Sequence, residues 1–249
     1  MDMGLDHRVA IVTGASRGLG TGIVRAFVAE GMRVVAAARS GAELDRLAEE
    51  FPGSVHPVVC DMGRAEEVAA LVESAVATFG GLDVVVSNAG IAPAGAFMDM
   101  GDDTWTQVLA VNLQAPVTLA RAAGPVLLGQ ERGKIINIAS TSGLRGKPTL
   151  AAYSASKGAL LRFTEALASE WASRNVQVNA IAPGAFVTQA QSAVLDSPDM
   201  LVRRLRKIPA GRMGTVDEIG ALACFLASPH SDFVTGATYV IDGGESAKL

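Results

Sequence analysis

Seven short runs of apolar, β-branched residues punctuate the chain: 8–13, 33–37, 55–60, 84–87, 134–139, 177–181 and 237–241. Each reads as a strand. Between them lie longer segments that are amphipathic or rich in alanine and of helix length. The strand segments are almost continuously apolar rather than alternating, as expected of strands buried on both faces. Strict alternation of strand and helix predicts right-handed crossovers and a parallel sheet of about seven strands with helices on both faces. No repeat, low-complexity tract or heptad pattern interrupts this order. Pro183 to about Met213 is the least regular stretch. Because it follows a sheet strand, it is expected above the strand ends as a substrate lid over about 185–213.

Composition adds a size and a setting. The 249 residues are 49% hydrophobic and 18% charged, which favours one large core, and no linker divides the chain. We read residues 1–249 as a single domain. The net charge of −4 argues against a nucleic-acid partner, since the only basic run is Arg203-Arg204-Leu205-Arg206-Lys207, read as a solvated helix face. No stretch approaches the ~20 apolar residues of a membrane span, and the beginning is too polar for a signal peptide, so a cytoplasmic location is expected. Cys60 and Cys224 lie in apolar contexts with no ligand spacing to each other or to His7, His56 or His230. Buried free thiols, and no metal site, are expected.

The candidate chemistry begins where the first strand ends. Val9 to Thr13 runs into Gly14-Ala15-Ser16-Arg17-Gly18-Leu19-Gly20, a glycine-rich turn into a helix that brings backbone close to a pyrophosphate and aims free N–H groups at it. Its G-x-x-x-G-x-G spacing departs from the usual dinucleotide fingerprint. Further along, Tyr153 and Lys157 stand four apart on one helix face, thirteen and seventeen residues after Ser140. An ammonium one turn from a phenol favours the phenolate. We therefore expect Lys157 to make Tyr153 more acidic, a proton donor to a developing alkoxide.

Taken together, Thr13 to Gly20, Asn88-Ala89-Gly90, Asn112, Ser140, Tyr153/Lys157, and Pro183-Gly184 with Thr188 resemble the short-chain dehydrogenase/reductase family over essentially the whole chain. That resemblance implies a Rossmann-type doubly wound sheet carrying a nicotinamide dinucleotide. It implies a catalytic set of Asn112, Ser140, Tyr153 and Lys157, the thirteen-residue offset selecting Ser140 over Ser142; a turn or capping role for Ser140 is the alternative. The implied cofactor residues are Gly14, Ser16, Arg17, Gly18, Leu19, Gly20, Arg39, Ser40, Asp61, Met62, Asn88, Ala89, Gly90, Tyr153, Lys157, Pro183, Gly184, Val187 and Thr188. In the family's pattern Asp61 meets the adenine amino group, with a helix N-cap as its other reading, and Thr188 the nicotinamide carboxamide. Asn88 is read as mainly a brace of the sheet.

Charge bears on the cofactor. NAD-binding members of this fold place an acid after the second strand, some twenty residues beyond the glycines, for the ribose 2′-hydroxyl. Here Ala38 stands at that place, followed by Arg39 and Ser40, with Arg17 in the glycine turn. Two guanidiniums and no carboxylate favour NADP(H) over NAD(H). Asn112 precedes Pro116 by four, and a proline has no N–H to offer that carbonyl. We expect a broken helix there and a free acceptor, which in the family holds a water on the proton path from the lysine.

Substrate identity lies in 92–97, 144–150 and the lid, where Ala92, Ala94, Ala96, Phe97, Leu144, Phe186, Val187, Leu195 and Met200 favour a small, largely apolar carbonyl or alcohol; Arg145 and Lys147 are the cations that would meet a carboxylate. The alternative is a 3-oxoacyl-carrier-protein reductase, whose acidic partner would need Arg132, Lys134 and Arg174 beside the cleft. A cofactor-binding regulator without turnover would show a damaged catalytic set, and this one is whole. Alanine- and leucine-rich helices over 104–128 and 153–174 suggest a homotetramer or homodimer.

Overall fold

The computed structural model describes residues 2–248. Its strands are β1 (Val9–Thr13), β2 (Arg33–Ala38), β3 (Val55–Val59), β4 (Val84–Ser87), β5 (Gly133–Ile138), β6 (Val176–Pro183) and β7 (Thr238–Ile241). The helices are α1 (Gly18–Ala29), α2 (Gly41–Glu50), α3 (Ala65–Phe79), α4 (Asp102–Leu109), α5 (Ala115–Gly129), α6 (Thr141–Leu144), α7 (Ala151–Trp171), α8 (Ser192–Leu195), α9 (Pro198–Leu205) and α10 (Val216–Ala227). All seven strands form one parallel sheet in the order β3-β2-β1-β4-β5-β6-β7. The expected α/β architecture is therefore what the chain adopts. Strand ends differ from the apolar runs by one or two residues. β6 runs furthest past its run, because Ala182 and Pro183 still pair with Val240 and Ile241 of the edge strand β7.

Alternation within each buried strand feeds two cores. Ala10 and Val12 of β1, with Val34, Ala36 and Ala38 of β2, face a layer holding Ile23, Val24 and Phe27 of α1, Leu44 and Leu47 of α2, and Ile219 and Ala223 of α10. Val9, Ile11, Val35 and Ala37 face the opposite layer, with Val68, Leu71, Val72 and Ala75 of α3, Leu119, Ala123 and Leu127 of α5, and Trp171 of α7. The helical contributions recur at three- and four-residue steps, one apolar stripe per helix. Pro57 is tolerated because β3 is an edge strand.

Strand order reverses between β1 and β4. In open parallel sheets that switch point opens a crevice beyond the carboxyl ends of the strands. Thr13, Asn88, Ser140 and Gly184 all fall at or just past such ends.

The expected lid is helical rather than irregular. A short turn over Gln189–Gln191, then α8 and α9, gather Leu195, Leu201 and Leu205 onto a small core of Ala185, Ile208 and Met213. Pro198 at the start of α9, with Ser197 accepting from the Met200 amide at 3.4 Å, starts that helix. The basic run at the C-terminal end of α9 and just beyond it is only partly solvated. Arg204 turns inward to Glu245 through two hydrogen bonds of 2.7 Å, its side chain 20% exposed against 15% for its partner. The solvated helix face expected of this run therefore holds for Arg203, Arg206 and Lys207 but not for Arg204. Because Arg204→Ala would strand a mostly buried carboxylate, it should destabilise the fold by about 2 kcal/mol, read as a lower Tm. Unchanged stability would mean the pair is solvated in solution.

Candidate active site

The glycine turn is shaped by close approach. Gly14 has φ +64°, and a Cβ on it would lie 2.8 Å from Ala89 Cα and 2.9 Å from Asn88 Nδ2. A Cβ on Gly20 would strike the carbonyl of Gly14 and stand 2.7 Å from Asn88 Nδ2. Both positions therefore require glycine. The cradle they leave opens on the N-terminus of α1, whose first turn carries no acid. Free N–H groups and no opposing charge suit a phosphate.

Asn88 ties this turn to β4. Its Nδ2 donates to the carbonyls of Thr13 at 2.8 Å and Gly14 at 3.1 Å. Thr13 returns the link, its hydroxyl accepting from the amides of Asn88 at 3.0 Å and Ala89 at 3.1 Å. Asn88 thus braces the sheet as its sequence suggests. Thr13 positions the turn equally, a role that its place at the start of the motif does not reveal. A small cavity behind it, lined by Met62, Ala89, Val111 and Pro116 among others, receives the Ser87 hydroxyl, which has no partner among the described residues.

Arg17, Arg39 and Ser40 are exposed at the rim, while Ala38 is buried. Neither arginine enters an ion pair or hydrogen bond with any described residue, and no carboxylate neutralises them. This arrangement fits a 2′-phosphate. Asp61 is not the helix N-cap, which is Arg64. Instead its Oδ1 accepts from the Gly63 amide at 2.9 Å while its own amide donates to Glu67 at 2.8 Å, so it shapes the turn after β3. Its neighbour Cys60 is a free thiol pushed up to about 11, chiefly by burial, and Cys224 is pushed up to about 12 for the same reason. Both are held as unreactive thiols.

At the next strand end the four candidate catalytic residues meet. Ser140 caps α6, its hydroxyl accepting from the Ser142 amide at 3.0 Å, so capping coexists with facing the crevice. Tyr153 and Lys157 occupy the first turns of α7. The lysine is 3% exposed and donates to the Ile138 carbonyl at 2.7 Å. Its nitrogen stands 5.9 Å from the Tyr153 ring centroid. A Cβ on Gly90 would lie 3.3 Å from Asn112 Oδ1 and 3.5 Å from that nitrogen, so Asn112 borders the same space.

Two expectations change here. Burial pushes the Tyr153 phenol above its ordinary 10.0, with only the Ser140 hydroxyl pulling it back; the ammonium is not among the causes. Lys157 spends its hydrogen bond on Ile138, and desolvation pushes its own value down to about 8. Asn112 is also more than a carbonyl. Its side chain clamps Ile91, Oδ1 accepting from the amide and Nδ2 donating to the carbonyl, both at 2.9 Å. Nδ2 further reaches Ser156 Oγ at 3.1 Å, and that hydroxyl donates to the Tyr153 carbonyl at 2.8 Å. Ser156, one place before the lysine, carries no signal of this role in the sequence. The helix is interrupted as Pro116 requires: residues 110–114 form a π-turn between α4 and α5.

The next wall of the crevice comes from the end of β6 and the segment that follows it. Gly184 donates to the Ile241 carbonyl at 2.9 Å, and a Cβ on it would lie 2.5 Å from Asp242 Cβ. Val187 is anchored to the Gly214 carbonyl at 2.9 Å, and Thr188 packs across from Gly18 at the glycine turn. The two loops expected to border the substrate are joined, Gly95 donating to the Thr149 carbonyl at 3.0 Å. Thr149 itself holds φ +64°, unusual for a β-branched residue and costing about 1–3 kcal/mol. The basic residues weighed for a carrier-protein partner lie elsewhere. Arg132 and Lys134 are at the amino end of β5, the far end of the sheet, paired with Asp83 and Asp232, and Arg174 pairs with Glu131.

Against known proteins, residues 14–246 match the family model described as enoyl-(acyl carrier protein) reductase. The chain is 41% identical over 243 residues to galactitol 2-dehydrogenase (L-tagatose-forming) of Cereibacter sphaeroides, covering 96% of this chain and 95% of that protein. It is 35% identical over 245 residues to the 3-oxoacyl-[acyl-carrier-protein] reductase of Thermotoga maritima, covering 97% and 99%. Among solved structures, a protein provisionally assigned as an NAD(P)-dependent gluconate 5-dehydrogenase from Beutenbergia cavernae, with NADP bound at low occupancy, superposes with a TM-score of 0.92 at 37% identity, covering 100% of both chains.

Proposed function

The chain belongs to the short-chain dehydrogenase/reductase family, oxidoreductases of carbonyl and alcohol groups, and on that premise we propose that it uses NADP(H) to interconvert a carbonyl and a secondary alcohol on a small, largely apolar substrate. The observation that carries this reading is the meeting of a buried lysine, a phenol and a serine hydroxyl beside a glycine cradle. The cofactor, when bound, supplies the hydride for the carbonyl carbon. Gly14, Ser16, Gly18, Leu19 and Gly20 would hold its pyrophosphate, and Arg17, Arg39 and Ser40 its 2′-phosphate. Asp61 and Met62 would border the adenine, and Asn88, Ala89 and Gly90 the ribose beside it. Pro183, Gly184, Val187 and Thr188 would line the nicotinamide end.

Ser140 donates to the carbonyl oxygen and fixes it against Tyr153. As negative charge grows there, Tyr153 gives its proton to that oxygen. Lys157, protonated below about 8, faces the phenolate left behind and supplies the ribose contacts. The Asn112 carbonyl, which Pro116 cannot occupy, is the acceptor that continues the proton path.

The apolar rim supports the substrate class. Of the ten exposed large hydrophobic residues among those described, Phe97, Met98, Leu144, Val187, Met200 and Val202 lie on the loops and lid around the site. Phe233 and Val240, exposed beside and on the edge strand β7, support assembly into a homodimer or homotetramer. No described helix is long and apolar enough to cross a membrane.

Cofactor choice is tested by the double variant Arg17→Ala/Arg39→Ala. Losing two charge-assisted partners should raise KM for NADPH about tenfold to a hundredfold and leave KM for NADH nearly unchanged. Equal effects on both cofactors in steady-state kinetics would refute the selection of NADP(H) by these arginines.

A further inference from the structure

Lys147 stands in the loop that joins α6 to α7, and each of its anchors neighbours a group that handles the substrate oxygen. Its ammonium donates to Thr141 Oγ1 at 3.2 Å, next to Ser140, and its amide donates to Ser154 Oγ at 3.3 Å, next to Tyr153. Helix α6, from which the loop leaves, is seated on α7, since a Cβ on Gly143 would lie 2.7 Å from the carbonyl carbon of Lys157. The ammonium is thereby tied to the turn that carries Ser140 rather than swinging in solvent.

Its charge has no local answer. It makes no ion pair with any described residue. The acids it senses are Glu245 and Asp242, and both are committed elsewhere. Glu245 is gripped by Arg204 through two bonds of 2.7 Å. Asp242 accepts from the amides of Gly244 at 2.9 Å and Ser246 at 2.7 Å. The other charges facing it, Arg204 and Lys207, are themselves positive and disfavour its ammonium, as does its partial burial. Two of its three N–H donors are unused among the described residues. An uncompensated cation with free donors, tied to the turn that carries Ser140, is the receptor half of an ion pair.

We propose that Lys147 binds a carboxylate on the substrate, so that the enzyme acts on oxo- and hydroxy-acids whose carboxylate lies a few atoms from the reacting carbon. This rests on the oxidoreductase reading above and adds the substrate class. The apolar rim covers the carbon chain between the two ends.

The test compares free oxo-acids with their methyl esters, 3-oxobutanoate, 4-oxopentanoate and 5-oxohexanoate, in wild type, Lys147→Met and Lys147→Arg. Binding of the same compounds to the enzyme with NADP is followed by thermal shift. Wild type should favour the acid of the best-fitting pair over its ester in kcat/KM by about tenfold or more. Lys147→Met should erase that preference while keeping turnover of the ester, and Lys147→Arg should retain part of it. The acid's thermal shift should vanish in Lys147→Met. An ester turned over as well as its acid by wild type, or equal losses for both in Lys147→Met, would overturn the proposal. Silence with every compound, with NADP(H) still bound, would count against the oxidoreductase reading instead. In that case the thermal shift still decides for Lys147, an acid-specific shift lost in Lys147→Met supporting it and its absence in wild type overturning it.

Discussion

Replacing Tyr153 with phenylalanine should lower the rate of carbonyl reduction by about 10²–10⁴-fold while NADPH binds almost as before. The ring that packs against Lys157 is kept, so only the transferable proton is lost. Single-turnover kinetics beside a fluorescence titration of NADPH would separate chemistry from binding, and undiminished turnover would end the proposed mechanism. The pH dependence follows from the same group. Burial holds the phenol above 10.0, so the proton donor for reduction is in place throughout neutral pH. Oxidation needs the phenol as an acceptor, which is its deprotonated form. Reduction should therefore run level through neutrality and decline only at alkaline pH, whereas oxidation should climb with pH. Ser140→Ala, by removing the hydroxyl that pulls the phenol down, should move both limbs further to the alkaline side.

Lys157→Met should do two opposite things: abolish turnover to a similar extent as the tyrosine change, and stabilise the cofactor-free protein. The buried ammonium lets go of its proton at about 8 rather than 10.5. Between those values the unfolded chain binds more protons than the folded one, so stability of the native enzyme rises with pH across that window. Below it, the whole penalty of burying a cation is present, on the order of 3 kcal/mol. Methionine removes the penalty but takes the 2.7 Å donor away from Ile138, a loss of about 1 kcal/mol. The net expectation at pH 7 is a Tm several degrees higher, with the alkaline rise in stability gone. A variant less stable than wild type at pH 7 would show that the ammonium is better solvated, or better bonded, than its surroundings indicate.

The seven strands were legible because a strand covered on both faces leaves a continuous apolar trace, and the parallel order followed from the intervening helices. The glycine turn and the Tyr153/Lys157 pair were legible as local motifs, whereas Ser140 was singled out only through the resemblance. What escaped was fixed by contacts distant in sequence. Nothing near Asn112 announces that its amide grips Ile91, and nothing near Arg204 points to Glu245. The lid looked irregular because its helices are short and rest on their own small cluster, so no long apolar stripe marks them. The effect of Lys157 on its neighbour is hidden for a related reason. Four residues of spacing place two side chains on one face, but the carbonyl that captures the amine comes from β5 and does not appear in the helix pattern.

Thr13 shows how such a hidden contact matters to anyone reshaping this enzyme. Valine has the same outline and suits a strand, so a design criterion based on volume and hydrophobicity would accept it without objection. It would leave the amides of Asn88 and Ala89 without their acceptor, at the seam where the two halves of the sheet diverge. A filter blind to hydrogen bonds would therefore pass sequences whose turn is loosened, and a screen for heat resistance would be needed to remove them.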